Sequence, residues 1–509
     1  MKRKKVVTHS KKNVSRTSIS SLNSHKFYFT RLLLKHARIL KLKERRSVQH
    51  NLVKQAKERP DHIAVKFNES TLTFAELYEQ ASAVKDQLLE MELPSRIAVQ
   101  PTNQLNSVII MHAIVLAHIE MVLVNTHLTE SEVKRQLDSI GVDVIITDNS
   151  YTSLSCIMPE TLFKGMAERS AVTTYNPEDI MSIMFTSGTT GVQKAVPHTF
   201  LNHVASAERC KISFPFDRDS KWLLALPLYH ISGLSVLVRS MMDGFTIVLF
   251  DKFDAEAINQ SIAEDAITHI SLVPQTLEWL LDAGLERHQL EGLLIGGAKL
   301  DDRTLEECLR RDLPVYTSFG MTETASQFIT ASPADMVNHP NSVGPVTDDI
   351  KVAAPLNGAG EILVRGDNVM KGYLYPEGAN DTAFSGDYFM TGDVGHIKNG
   401  HLYVLDRRKD LIISGGENIY PSEIEQLILS IPDISACSVV GIPDAKWGEV
   451  PALVYESESD LDDKITKTLE EIAKYKRPVL YKRIKHLHRT SNSKVSRHRV
   501  KEWLLDEIQ

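Results

Sequence analysis

Between residues 63 and 273 the chain alternates short apolar runs with stretches of helical spacing, and this alternation constrains its fold most. The strand-like runs are Ile63-Ala64-Val65, Ile97-Ala98-Val99, Met121–Val124, Val144-Ile145-Ile146, Leu223–Leu226, Thr246–Phe250 and His269–Val273. Strands separated by helices read as βαβ units and mainly parallel sheets. In open sheets of that kind ligands bind beyond the carboxyl ends of the strands. Apolar spacing also predicts helices over 47–57 and over Thr73–Leu89, with Thr73 as an N-cap. After about residue 345 the texture shortens to β-rich segments with turns at Asn357-Gly358 and Asn399-Gly400. A boundary is expected near Asp406–Asp410, followed by a small α+β domain of about 100 residues.

At 509 residues the chain exceeds one ordinary core. Residues 1–46 carry fifteen Lys/Arg and one acid, Glu44, so the overall charge of −7 leaves −21 on the remaining 463 residues. An acidic body argues against nucleic acid as the main partner. The basic extension reads as a disordered arm or a targeting segment. Its apolar triplets are broken by Arg31 and Lys35, and it has no uninterrupted apolar region of a signal peptide. No run of about 18 apolar residues occurs, so stable membrane insertion is not expected. Cys156, Cys210, Cys308 and Cys437 are far apart and form no CxxC pair. That usage suits a reducing compartment, here the cytoplasm.

Residues 186–194 read Thr-Ser-Gly-Thr-Thr-Gly-Val-Gln-Lys after an apolar run. Thr186, Ser187, Gly188, Thr189, Thr190 and Gly191 offer hydroxyls and accessible backbone N–H groups to a phosphate chain, and Lys194 adds charge. The spacing is not that of a Walker A loop, and composition alone also suits a plain flexible loop. Five further segments follow: Gly296-Gly297-Ala298-Lys299, Ser318–Thr324, Thr391-Gly392-Asp393, Asp406–Asp410 with Ser414–Asn418, and Thr490–Lys494. Each has a bland alternative as a turn, a solvated charged face or a surface lysine. Their joint presence in this order is the informative fact.

The set resembles the adenylate-forming superfamily of acyl-CoA synthetases, luciferases and peptide-synthetase adenylation domains, over about residues 47–509. The resemblance implies a large N-terminal domain (47–405) of two mainly parallel sheets with helices plus a β-barrel-like subdomain. A hinge at 406–410 and a small mobile α+β C-terminal domain (411–509) would follow. It implies ATP, Mg²⁺ and coenzyme A as cofactor and co-substrates, and two half-reactions through an acyl-adenylate. By that resemblance Thr186–Gly191 and Lys194 bind the phosphates, and Gly297, Ala298 and Phe319 line the adenine pocket. Thr322 meets the α-phosphate, Glu323 holds Mg²⁺, and Asp393 and Arg407 hold the ribose. Lys494 is the catalytic lysine, with Ser493 where the superfamily usually has glycine. Lys409 is the hinge, and Gly415 and Gly416 flank the thiol channel. Homo-oligomers are common among such enzymes.

The segments Pro227–Ser235, Val196–His203 and Ser271–Gln275 resemble the o-succinylbenzoate–CoA ligase family of menaquinone biosynthesis. That acid has a second carboxylate, which must be paired if buried. Arg239 offers a planar fork to it; His230, nine residues earlier, need not share a helical face with Arg239, but both could border the acyl pocket, and His230 is also placed among the catalytic residues. Against this, arginines are usually exposed and a lone histidine is usually a satisfied core residue. Another acyl- or aryl-CoA ligase, a carrier-dependent adenylation domain and a non-catalytic adenylate-binding module are the competing readings.

Overall fold

The computed structural model describes residues 39, 47–164, 174–186, 193–353, 359–407, 410–414, 417–444, 447–472, 474–490 and 494–508. A six-stranded sheet runs Lys194–Thr199, Ile180–Thr186, Glu120–Leu123, Arg96–Val99, Val144–Ile146, Ser155–Ile157, with only the first pair antiparallel. An eight-stranded sheet runs Ser326–Ala331, Val315–Met321, Gly292–Ile295, His269–Leu272, Lys221–Leu224, Thr246–Leu249, Ile63–Phe67, Ser70–Thr73. Only its two outer pairs are antiparallel. Both are the mainly parallel α/β sheets that the sequence predicts. One apolar core joins them, with Ile97 and Met121 from the first, Val65 and Trp222 from the second, and helices Phe74–Glu90, Leu105–Leu116, Phe200–Ser213 and Ile231–Asp243 contributing. Helix Leu105–Leu116 buries nine consecutive residues, Val108–Leu116, because the core surrounds it.

The third sheet joins Ile350–Val352, Gly360–Val364, Tyr388–Lys398 and Phe384–Ser385, with His401–Arg407 paired to Tyr388–Lys398 through a turn at Asn399-Gly400. Both turn residues have φ > 0, at 50° and 75°, the geometry of a tight hairpin. Sheet membership changes between Arg407 and Ile412. Ile412–Ser414 joins Glu417–Ile419, Gly448–Glu456, Ala436–Asp444 and Leu480–Ile484 in a separate sheet, with its own core around Ile424, Val439 and Leu453.

Thr73 caps the helix Phe74–Glu90 in a reciprocal capping box with Glu76. The stretch at 47–57 departs from expectation. Val48–Gln49 pairs antiparallel with Thr174–Tyr175, and the helix starts only at Asn51. Pairing with a strand more than a hundred positions away overrides a local helical pattern and leaves no trace in it. Of the basic extension, Ile39 is described and is buried in the main core; the remainder of 1–46 lies outside the described residues, as does Asn357-Gly358. All four cysteines are free thiols. Among the described residues no helix is long and apolar enough to cross a membrane.

Several histidines are buried in neutral form. Burial, with His118 adding to it, lowers His50 to about 3. Burial takes His112 to about 4, and takes His198 to about 4 despite its bond to the Thr322 carbonyl. The unfolded chain binds these protons near pH 6.5 and the folded chain does not, so stability is full above that pH and falls as pH drops towards 4. At about pH 5 each of the three should cost about 2 kcal/mol. Urea midpoints measured at about pH 7.5 and about pH 5 should differ steeply, the lower at acid pH. Equal midpoints would show these rings to be solvated.

Candidate active site

Two strands flank the segment that the sequence offers to a phosphate chain. Strands Ile180–Thr186 and Lys194–Thr199 pair antiparallel with Thr186 directly opposite Lys194, and this pair of residues stands at the carboxyl end of a strand that is parallel to Glu120–Leu123. Ser187, Gly188, Thr189, Thr190 and Gly191 lie outside the described residues. The chain at 374–375 then adds to the outer edge of this strand pair, with Leu374 N–H donating to Ala195 C=O and Ala195 N–H to Tyr375 C=O, both at 2.9 Å. That pairing sets the Tyr373 ring under Lys194, whose Nζ lies 4.5 Å from the ring centroid.

Tyr373 connects the two sheets. Its hydroxyl donates to Glu323 Oε1 at 2.9 Å. Glu323 stands in the one-turn 3₁₀ segment Thr322–Thr324 at the carboxyl end of strand Val315–Met321. The turn is pinned from outside: His198 Nε2 donates to the Thr322 carbonyl at 2.6 Å, Asn368 Nδ2 to the Thr324 carbonyl at 3.0 Å, and Met370 N–H to the Glu323 carbonyl at 2.9 Å. Gly320 is required because a Cβ there would run into the Ser326 carbonyl. Tyr373 occupies Oε1, and among the described residues no donor reaches Oε2. A carboxylate oxygen left without a donor, close to Lys194 through Tyr373, fits Mg²⁺, which takes one or two protein carboxylates and completes its shell with phosphate and water. Tyr373, His198 and Asn368 were not singled out from sequence as site residues. His198 falls in the Val196–His203 likeness, but its partner is 124 positions away.

Gly296 and Gly297 follow the next strand, Gly292–Ile295, so they border the same sheet edge as Thr322. Gly297 has φ +88°, and a Cβ on it would meet Lys494 Nζ at 2.5 Å and Cε at 2.7 Å. The lysine side chain therefore lies across a surface that only glycine leaves open. Lys494 is held on a narrow stem: Thr490 N–H donates to the Lys494 carbonyl at 2.7 Å, Arg489 bridges Val495, and Ser496 N–H donates to the His488 carbonyl at 2.8 Å. Arg489 Nη1 also donates to Gln275 Oε1 at 2.8 Å, tying the stem to the first domain. Ser493 lies outside the described residues. Ala298 is exposed next to Gly297, and Phe319 is largely buried in the cluster with Val196 and Phe328.

Asp393 is buried and stands opposite Arg407 in the pairing of Tyr388–Lys398 with His401–Arg407. The Arg407 side chain, Lys409, Gly415 and Gly416 lie outside the described residues.

His230 and Arg239 sit on one helix. His230 is the N-cap residue of Ile231–Asp243, with its ring centroid 4.6 Å from that of Tyr229. At about 100° per residue, nine positions place Arg239 on the opposite side. Arg239 is 1% exposed, which rules out the surface reading. Its Nη2 donates to Ser326 Oγ at 3.3 Å, its Nε has no partner among the described residues, and its guanidinium lies 5.5 Å from the Trp222 ring centroid. Burial depresses its pKa, and the neighbouring Cys210, itself held as a neutral thiol by burial, gives it no counter-charge. A buried cation with no carboxylate partner is destabilising on its own. Ser326 belongs to the strand that leaves the Thr322–Thr324 turn, so this cation is bonded to the strand that starts at that turn.

Two family models match the chain: AMP-binding enzyme over residues 52–374, and AMP-binding enzyme C-terminal domain over 423–494. A 2-succinylbenzoate–CoA ligase of Staphylococcus aureus (strain bovine RF122 / ET3-1) is 43% identical over 491 residues, spanning 88% of this chain and 99% of that one. Among solved structures, the o-succinylbenzoate CoA synthetase of Bacillus subtilis in complex with its acyl-adenylate intermediate is 35% identical, with a TM-score of 0.84 over 89% of this chain and 98% of that one. A double mutant of the same enzyme, bound to a product analogue, is also 35% identical over 90% of this chain and 98% of that one, but its TM-score is 0.70.

Proposed function

The chain belongs to the AMP-binding enzyme family, and from that premise we propose that it is the AMP-forming ligase that converts 2-succinylbenzoate to 2-succinylbenzoyl-CoA in menaquinone biosynthesis. The observation that carries the reaction type is Lys494 lying against Gly297 at the sheet edge where Thr322 and Glu323 emerge. Binding a nucleotide does not need a lysine delivered from a second domain; stabilising charge at the α-phosphate does.

In the first half-reaction a carboxylate oxygen attacks the α-phosphorus and pyrophosphate leaves. Lys494 Nζ sits between the incoming oxygen and the α-phosphate, and the Thr322 hydroxyl orients that phosphate. Lys194 and Thr186 hold the departing phosphates. Glu323, fixed by Tyr373, would hold Mg²⁺, which when bound neutralises phosphate charge. Asp393 and Arg407 take the ribose hydroxyls, and Phe319, Gly297 and Ala298 border the base. In the second half-reaction the coenzyme A thiol attacks the acyl carbonyl, past Gly415 and Gly416, and AMP leaves. Lys409 is the hinge that brings the second domain round between them. The acid is assigned through Arg239, an uncompensated cation that a second carboxylate would neutralise, with His230 at the acyl pocket. Free thiols at all four cysteines suit a cytoplasmic enzyme.

A panel of acids assayed for CoA thioester tests the assignment. Turnover is expected with 2-succinylbenzoate and not with benzoate, fatty acids or amino acids. Preference for a monocarboxylic acid would overturn the substrate, and no thioester with any acid would overturn the reaction.

A further inference from the structure

Three residues beyond Lys494, the helix Arg497–Ile508 opens with an arginine that holds three carboxylates. Its Nε and Nη2 grip Glu425 side-on at 3.0 and 2.5 Å, and its Nη1 reaches Asp406 Oδ1 at 2.6 Å and Asp410 Oδ2 at 3.3 Å. These partners belong to different bodies. Glu425 lies on the helix Pro421–Leu429 of the C-terminal domain, whereas Asp406 lies on strand His401–Arg407 of the barrel-like sheet. Asp406 is 3% exposed at its side chain, and its second oxygen accepts Ser422 N–H at 2.8 Å. Its bonds to Arg497 and Ser422 therefore both cross from one body to the other.

We propose that Arg497 is a positioning residue for adenylation: through Asp406 it locks the C-terminal domain in the orientation that lays Lys494 on Gly297. The Glu425 fork fixes the guanidinium within its own domain, and the Asp406 bond fixes that domain to the first. Arg489 to Gln275 anchors the other end of the Lys494 stem, so the stem is held from both sides. Any reorientation between Arg407 and Asp410 carries Glu425 and Asp410 along with Arg497 and leaves Asp406 behind. The Asp406 bond is thus specific to one arrangement. The chain superposes on the adenylate-bound relative with a TM-score of 0.84 and on the product-analogue form with 0.70.

The inference rests on the two-step reading above. Arg497→Met would strand three carboxylates and risks unfolding the domain for trivial reasons, so the variant is Asp406→Asn. The amide in this variant would keep an acceptor for Ser422 and leave the Glu425–Arg497 pair in place, but it removes the anion that crosses domains. Pyrophosphate release in the first half-reaction should fall at least about tenfold in kcat, with KM for ATP little changed. Thioester formation from supplied acyl-adenylate should stay within about twofold. Arg497→Lys, which keeps the charge but not the fork, should show the same bias more weakly. Equal loss in both steps, selective loss of the thioester step, or no change would each overturn the role. An unmodified enzyme that makes no adenylate with any acid would instead overturn the two-step reading itself.

Discussion

Lys494→Ala should abolish acyl-adenylate formation while leaving thioester formation from supplied acyl-adenylate largely intact. The asymmetry follows from where the side chain lies. Its ammonium rests on Gly297, whose φ of +88° and missing Cβ create the seat. From there it can meet charge that develops on the α-phosphate oxygens in the first step, whereas the proposed turn at Lys409 carries it away before AMP departs in the second. Removing one preorganised donor to such charge costs roughly 10²–10³ in kcat, about 3–4 kcal/mol. The stem that carries the lysine is tied by backbone bonds at Thr490, Arg489 and Ser496, so alanine should leave the fold in place. Rapid-quench measurement of each half-reaction separates the outcomes. Equal loss in both would make Lys494 a structural residue.

Arg239→Leu should lose the acid and gain stability. Arg239 is 1% exposed, and among the described residues its Nε has no partner and its one hydrogen bond goes to a neutral hydroxyl. Stacking near Trp222 returns on the order of 1 kcal/mol, less than the cost of desolvating a cation. Leucine removes that cost, so the thermal midpoint without ligand should rise. If the second carboxylate of the substrate supplies the missing anion, kcat/KM for 2-succinylbenzoate should fall on the order of 10²-fold with KM for ATP unchanged. A lower midpoint with unchanged KM for the acid would assign Arg239 to supporting the Ser326 turn instead.

The sheets were legible because their strands are locally complete signals: short apolar runs with helices between them, a tight turn at Asn399-Gly400, a capping box at Thr73. The strand Val48–Gln49 was not, since its only partner among the described residues is Thr174–Tyr175 and its own spacing reads helical. The candidate site divides the same way. Lys194, Thr322, Glu323 and Lys494 stand in segments whose composition is unusual, and motif resemblance selected them. Tyr373 and Asn368 are ordinary residues in ordinary segments, given their tasks by the pairing of 374–375 with the Lys194 strand and by the position of the Thr322–Thr324 turn. Arg239 shows the opposite case. Its residue type favours exposure and its segment's likeness favours a fork for a carboxylate; its burial, with no carboxylate beside it among the described residues, agrees with the second reading.

The proposed reaction splits ATP between its α- and β-phosphates by joining AMP to 2-succinylbenzoate. ATP–pyrophosphate exchange, measured without coenzyme A and with that acid as the only carboxylate, tests it most directly. Exchange should depend on the acid and disappear in Lys494→Ala. Exchange that proceeds equally without the acid, or none in its presence, would contradict the proposed reaction.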